Sequence, residues 1–245
     1  MKKSKYLVLN SFYFDFNDDL TEITNVKELF KKQNILDLFR FDKIKSITEY
    51  KFNGYNINFV YLPKNIEKIE YCAFYENQIQ ILDLSNCINL KNIGEFAFAE
   101  NQIKHLKLPD NIEEIYNYAF SKNQIEILDL SNCIKLQTIE LSFDNNLIKT
   151  LSLPKNIEII QNFAFRTNQI EILDLSNYIK LKNIKEYAFS DNPLNEIKIL
   201  DNINIEYYKY LKNDLWTKFV IYYNDTDKKS GDYKLENNEW KWYPL

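Results

Sequence analysis

AFYENQIQILDLSN occupies residues 73–86, AFSKNQIEILDLSN residues 119–132 and AFRTNQIEILDLSN residues 164–177. A phrase that returns after 46 and then 45 residues marks a chain wound into like turns, because self-similarity at a fixed period is how stacked-coil architectures are written. A second spelling lies between the copies. Aligned on the Phe that follows a small residue, Phe74, Phe98, Phe120, Phe143, Phe165 and Phe189 are 22 to 24 residues apart. Three residues after each stands Asn77, Asn101, Asn123, Asn146, Asn168 or Asn192.

Aliphatic residues then follow at fixed offsets. Ile79, Leu82, Leu84 and Cys87 are matched by Ile103, Leu106, Leu108 and Asn111, and by Ile125, Leu128, Leu130 and Cys133. This LxxLxLxxN/C frame is the leucine-rich repeat signature. Its x-L-x-L-x part is a short strand with Leu pointing inward, and the closing Asn or Cys serves the tight turn that leaves it. One coil cannot bury its own apolar face, so coils stack and their strands join a parallel sheet. Two spellings alternate: DLSNCINLKNI from Asp83, DLSNCIKLQTI from Asp129 and DLSNYIKLKNI from Asp174, against LPKNI from Leu62, LPDNI from Leu108 and LPKNI from Leu153. The 45- to 46-residue phrase is therefore a doublet of coils.

Projected outward, the frame takes in Leu36, Leu38, Ile44, Ile47, Phe52, Ile57, Val60 and Leu62 upstream, and Ile203, Leu211, Trp216, Phe219 and Ile221 downstream. It predicts rungs at 36–38, 60–62, 82–84, 106–108, 128–130, 151–153, 173–175, 197–199 and 219–221. The expected fold is a leucine-rich-repeat solenoid of about nine coils, with a curved parallel β-sheet on the concave side and short turns or helical segments on the convex side. The stretch TIELSF is one residue short against NIGEFAF, which predicts a kink there. Residues 1–35 are expected to form an N-terminal cap with a short amphipathic helix over 24–33, burying Val26, Leu29 and Phe30. The solenoid proper spans 36–221. Residues 222–245 are expected to form a capping β-hairpin around Asn237-Asn238, with Tyr233, Trp240 and Trp242 sealing the last coil.

Composition narrows the class of function. A formal charge of −4 with cations and anions interspersed gives no basic face for phosphate, so nucleic acid is not expected as a partner. No stretch is apolar enough for a membrane span. The start, MKKSKYLVLN, is basic, but Asn10, Ser11 and Asp15 interrupt the apolar run a signal peptide needs. A cytoplasmic chain is expected from that, or a cell-surface one if a leader has been removed. Cys72, Cys87 and Cys133 are too far apart for a zinc site and odd in number for a disulfide framework, so reduced packing cysteines are expected. With three glycines in the chain, Asn is expected to serve many turns.

LPKNIEKIEYCAFYENQIQIL, residues 62–82, resembles the BspA-like, or treponemal-type, leucine-rich repeat, whose units join an LP strand to an Ig..AF..C segment. Six such units cover about residues 44 to 200. The resemblance implies a curved solenoid serving as a binding scaffold, often on bacterial or protist surfaces and sometimes in large viruses. Asn stands where that family usually has Cys after AF, and Gly94 alone keeps the Gly of the Ig position.

Chemistry finds little purchase. His105 is the sole histidine, which argues against a triad or a zinc site. Asp83, Asp129 and Asp174 recur once per doublet, about 10 Å apart, too far for a retaining glycosidase pair and just beyond an inverting one. No enzyme activity and no cofactor or metal are expected. The Asn series is expected to cap backbone groups inside the coil rather than track a ligand. The concave face is the better candidate. One outward row reads Ile35, Phe59, Ile81, His105, Ile127, Thr150, Ile172, Glu196; the next reads Asp37, Tyr61, Asp83, Lys107, Asp129, Ser152, Asp174, Lys198. Alternating charge in the second row avoids like neighbours, whereas an apolar row on a solvated face marks a contact surface. The expected site is Phe59, Tyr61, Ile81, Asp83, His105, Lys107, Ile127, Asp129, Ile172 and Asp174, facing a protein partner. The alternatives are a carbohydrate-binding surface adhesin and a self-associating structural protein.

Overall fold

The structure, a computed structural model, describes residues 13–27, 30, 33–207 and 214–244. Strands β1 (Phe14–Phe16) and β2 (Ile23–Val26) form an antiparallel hairpin at the N-terminal end. Two interleaved series of strands follow. The odd members are β3 (Ile35–Asp37), β5 (Phe59–Tyr61), β7 (Ile81–Asp83), β9 (His105–Lys107), β11 (Ile127–Asp129), β13 (Thr150–Ser152), β15 (Ile172–Asp174) and β17 (Glu196–Ile199). The even members are two-residue strands: β4 (Ser46–Ile47), β6 (Lys68–Ile69), β8 (Asn92–Ile93), β10 (Glu114–Ile115), β12 (Thr138–Ile139), β14 (Ile159–Ile160), β16 (Asn183–Ile184) and β18 (Asn204–Ile205). Both series run parallel, so each coil crosses a longer-strand wall and a shorter-strand wall. The convex side thus carries turns and a second parallel ladder, where helical segments were also expected.

Eight rungs, spanning seven full turns, replace the nine expected. The ninth position, 219–221, lies inside helix α1 (Leu215–Asp225). Its Trp216, Phe219, Val220 and Tyr223 are buried, so the apolar spacing that resembled a rung is the buried face of a helix. The edge of β17 is instead covered by β19 (Gly231–Glu236), which pairs with it antiparallel and turns back as β20 (Glu239–Tyr243). Asn237 and Asn238 make that turn at φ 51° and 64°, the two left-handed residues a tight hairpin needs. Tyr233 and Trp240 are buried beneath it, and the Trp242 indole N–H donates to Ser230 O at 3.1 Å. At the other end, residues 23–26 are strand where a helix was expected. The hairpin turns Phe14 inward against Phe30 and Phe52, with ring centroids 4.9 and 6.0 Å away. Leu29 and Leu211, also named as core, lie outside the described residues, as does the segment 1–10.

The doublet is physical. β3 with β5, β7 with β9, β11 with β13 and β15 with β17 pair over three residues each. β5 meets β7 through the single pair Phe59↔Ile81, and β9 with β11 and β13 with β15 make no ladder. Each tight junction also gains an exit bond, such as Leu84 N–H to Lys107 O at 2.9 Å and Leu130 N–H to Ser152 O at 2.8 Å. Every loose junction follows an LP rung: Pro63, Pro109 and Pro154 offer no N–H and take the chain out of the sheet. The coil from such a rung to the next is also shorter, 22 residues against 23 or 24.

A column of phenylalanines fills the core. From Phe52 through Phe74, Phe98, Phe120, Phe143 and Phe165 to Phe189, successive rings are 5.1 to 5.9 Å apart and within 16° of parallel. Trp216 closes the column, 5.0 Å from Phe189. Beside it runs the Asn series, buried as expected. Asn101 is typical: its Oδ1 accepts from Ile79 N–H at 3.1 Å, and its Nδ2 donates to Phe74 O at 2.9 Å in the preceding coil and to Phe98 O and Ala99 O in its own. Asn77, Asn123, Asn146, Asn168 and Asn192 repeat the pattern. Groups stranded by a tight turn are thereby satisfied inside the core.

Asn is not the main turn residue. Two residues before the column Phe, the left-handed position is held by Tyr50, Cys72, Phe96, Tyr118, Phe163 and Tyr187; two after, by Gly54, Glu76, Glu100, Lys122, Asn145, Thr167 and Asp191. Only Gly54, Asn145 and Asp191 are of types that accept this conformation readily. Packing demands glycine at Gly94, where a Cβ would come within 2.6 Å of the Glu70 carbonyl carbon, and at Gly231, where one would come within 2.7 Å of the Tyr243 carbonyl oxygen. At the short coil, Leu141 is absent from this left-handed set. The even ladder breaks there, between β10 and β12. Ser142 bridges the break, its hydroxyl donating to Ile115 O at 3.1 Å and Tyr116 O at 3.2 Å.

Candidate functional site

The longer-strand wall presents two rows to solvent because each rung is three residues with the middle one turned inward. Leu36, Val60, Leu82, Leu128, Leu173 and Ile197 are buried middles; Leu106 and Leu151 are only partly so. The first row is in register, with Ile35↔Phe59, Phe59↔Ile81, Ile81↔His105, Ile127↔Thr150 and Ile172↔Glu196. Its apolar members, Ile35, Phe59, Ile81, Ile127 and Ile172, are between 42 and 64% exposed. No described segment covers them.

In the second row Asp37↔Tyr61, Asp83↔Lys107, Asp129↔Ser152 and Asp174↔Lys198 stand opposite one another. Tyr61 is exposed. The aspartates hold a local post that the sequence reading did not give them. Asp83 Oδ1 accepts from Ser85 N–H at 3.0 Å and from its hydroxyl at 2.5 Å; Asp174 does the same with Ser176, and Asp129 accepts from Ser131 N–H at 2.9 Å. Each fastens the turn leaving its rung, which is why Asp-Leu-Ser recurs. Partial burial works against the Asp83 carboxylate, but the Ser85 hydroxyl and amide, helped by Lys107, hold its pKa below the ordinary value. The Ser131 hydrogen bonds lower that of Asp129.

Two of the loose junctions differ in how they are filled. Between β13 and β15 the Tyr178 hydroxyl accepts from Leu153 N–H at 3.0 Å and plugs the gap. Between β9 and β11 the corresponding residue is the smaller Cys133, and a depression of about 640 Å³ opens. His105, Lys107, Ile127 and Asp129 line it, together with Lys104, Leu106, Leu108, Asp110 and Glu126. Sequence reasoning missed this opening, although the Pro-following short coil and the Cys-to-Tyr exchange at Tyr178 carried the signal. Burial, with Asp110 and Asp129 nearby, pushes the Cys133 thiol up to about 11, so it stays protonated near neutrality. Cys87 is likewise pushed up to about 11 by burial, then by Asp83.

The closing position of the repeat frame divides into two kinds. Cys87 and Cys133 are buried. Asn111 is exposed, and its Nδ2 donates to Ile88 O at 2.9 Å in the preceding coil. Asn65 and Asn156 do the same with Asp42 O and Ile134 O. Equivalence in the frame therefore does not mean equivalence in space. Among the described residues no cluster of three or more His, Cys, Asp or Glu could hold a metal ion, and no helix is long and apolar enough to cross a membrane.

The geometry agrees with comparisons to known proteins. The chain is similar to a crystal structure of a leucine rich cell surface protein from Faecalibacterium prausnitzii, at 19% identity and a TM-score of 0.53 over 94% of this chain. It spans 59% of that protein's length. A crystal structure of a leucine-rich repeat protein from Bacteroides ovatus matches at 16% identity and a TM-score of 0.41, over 80% of this chain and 66% of the other. Among curated proteins none matches the chain in sequence. The model of the BspA type leucine rich repeat region matches residues 21–141 and 137–237, in six copies. By that match and by its doublet of LP and AF coils, the chain belongs to the BspA-type leucine-rich repeat family.

Proposed function

We propose that the chain is a non-enzymatic interaction scaffold whose concave sheet binds a protein partner. The observation that carries this is the exposed apolar row, Ile35, Phe59, Ile81, Ile127 and Ile172, on a rigid face with nothing described above it. Apolar surface gathered on one face of a folded protein marks contact with another molecule. In this reading Phe59, Tyr61, Ile81, Ile127 and Ile172 supply contact area, and the β9–β11 depression takes an anchoring side chain. Asp83, His105, Lys107, Asp129 and Asp174 set specificity around them.

The test is loss of partner capture without loss of fold. Ile127→Ser combined with Asp129→Asn removes apolar area and charge, while the Asn oxygen still accepts from Ser131 N–H. Capture by immobilised chain should fall at least tenfold with an unchanged melting curve. Unchanged capture would retire the concave face. A second reading is a carbohydrate-binding adhesin; its cell-surface placement alone draws on the description of the Faecalibacterium protein as a leucine rich cell surface protein. Glycan-array binding without protein capture would favour it.

A further inference from the structure

The concave face is periodic in a way that the coil alone does not require. Four alternate rungs, β3, β7, β11 and β15, all read Ile-Leu-Asp, whereas the rungs between them read Phe-Val-Tyr, His-Leu-Lys, Thr-Leu-Ser and Glu-Ile-Lys. The inward Leu explains itself, and Oδ1 of Asp83, Asp129 and Asp174 is used by the turn. Neither fact explains the exposed Ile beside each Asp. Nor does either use the second carboxylate oxygen: among the described residues, Oδ2 of Asp83, Asp129 and Asp174 has no hydrogen-bond or ion-pair partner. Rungs β7, β11 and β15 thus each offer one apolar and one anionic contact, about 7 Å apart along the strand and repeated roughly every 9.6 Å along the solenoid.

Resting on the concave-face reading, we propose that the partner segment is a basic amphipathic α-helix lying along the solenoid axis, with Lys or Arg at every seventh residue beside an apolar stripe. Seven helical residues advance about 10.5 Å against about 9.6 Å for two rungs, so across β7, β11 and β15 a helix slips by only about 2 Å, within the reach of a Lys or Arg side chain. An extended strand repeats a face about every 6.8 Å and falls out of step at once. A polyproline helix, at about 9.3 Å per turn, matches the spacing as well as the α-helix does, but such segments are held by grooves lined with aromatic rings. Here the alternate rungs carry Ile, and aromatic side chains stand on the β5 rung alone. Charge points the same way. Lys149 is taken up by Glu126 at 3.0 Å and Lys198 by Glu196 at 3.3 Å. Lys104 and Lys107 remain against Asp83, Asp129, Asp174 and Glu171, so the face is anionic on balance and complements a cationic ligand.

The experiment uses designed peptides of about 25 residues with Leu along one stripe. One carries Lys at every seventh position and the other, of equal composition, at every fifth. Fluorescence anisotropy against the full chain should show the seven-residue peptide binding at least tenfold more tightly, with helix gained in circular dichroism. Its affinity should fall as salt rises. The triple variant Asp83→Asn, Asp129→Asn, Asp174→Asn should lose at least tenfold in affinity and most of the salt dependence, with the circular dichroism spectrum and a cooperative unfolding transition retained. Equal binding of both spacings, no binding, indifference to the triple variant, or tighter binding of a polyproline peptide of the same charge would each overturn the helix. The fate of the face itself is read separately: Ile81→Ser with Ile127→Ser abolishes capture of the natural partner if the face is the binding surface, whatever the peptides do.

Discussion

At the scale of single residues, this chain places many side chains in a backbone conformation suited to glycine. Thr167 is the least comfortable, because a β-branched residue at φ 55° crowds its own backbone. Its side chain is exposed, while its N–H and carbonyl bond to Ser190 O and Asn146 N–H. Relief of roughly 1–2 kcal/mol of left-handed strain, less the extra chain entropy of glycine, leaves Thr167→Gly about 0.5–1 kcal/mol more stable. A rise of roughly 2–4 °C per kcal/mol in the midpoint of thermal unfolding would report it, and a fall would refute the strain argument. The same residues show how far sequence could reach. Buried Asn beside each Phe was legible, since an amide recurring in register among aliphatic residues must meet backbone groups. The left-handed Tyr, Phe, Glu and Lys were not, because nothing in their identity announces a conformation that their neighbours impose.

At the scale of elements, the unit is a pair of coils, and junctions alternate between laddered and loose. Spacing and proline made the doublet readable, yet its consequence for the sheet was not, since hydrogen bonding between strands depends on how each chain leaves its rung. Two stretches near the ends were misread for a related reason. Trp216 and Phe219 sit in a helix whose N-cap, Asp214, accepts from Thr217 N–H at 2.9 Å and from Ser190 Oγ at 3.0 Å. At residues 23–26 a strand occupies what the apolar spacing offered as helix. The outward rows at the site were placed correctly because a three-residue strand leaves no choice of face. The depression at β9–β11 went unseen because it arises from a ladder that fails to form. Ser142 tests the account of the short coil. Without its hydroxyl, the Ile115 carbonyl loses its bridge where other coils supply an amide, such as Gly94 N–H to Ile69 O at 2.7 Å. Ser142→Ala should therefore destabilise by about 1–3 kcal/mol in chemical denaturation, and an effect near zero would mean the break needs no bridge.

At the scale of the whole molecule, contacts are local along one axis, so stability is a sum over coils and their junctions. Removing residues 83–128 joins Leu82 to Asp129 and excises one doublet of 46 residues, keeping the alternation intact. That variant should keep its circular dichroism shape and unfold cooperatively at a lower temperature. Removing 83–106, a single coil of 24 residues, sets two LP rungs side by side and should cost more stability per residue removed. Equal behaviour of the two variants would show that the doublet is a matter of spelling only.

The asparagine series also has a direction. Each amide reaches back, Asn123 to Phe98 O and Ile103 N–H, Asn146 to Phe120 O and Ile125 N–H, so a turn is completed by the one made after it. During translation, therefore, a nascent coil lacks these amide bonds until its successor has left the ribosome. A ribosome stalled within the repeats would thus hold a stack whose newest turn still lacks its amide clamp.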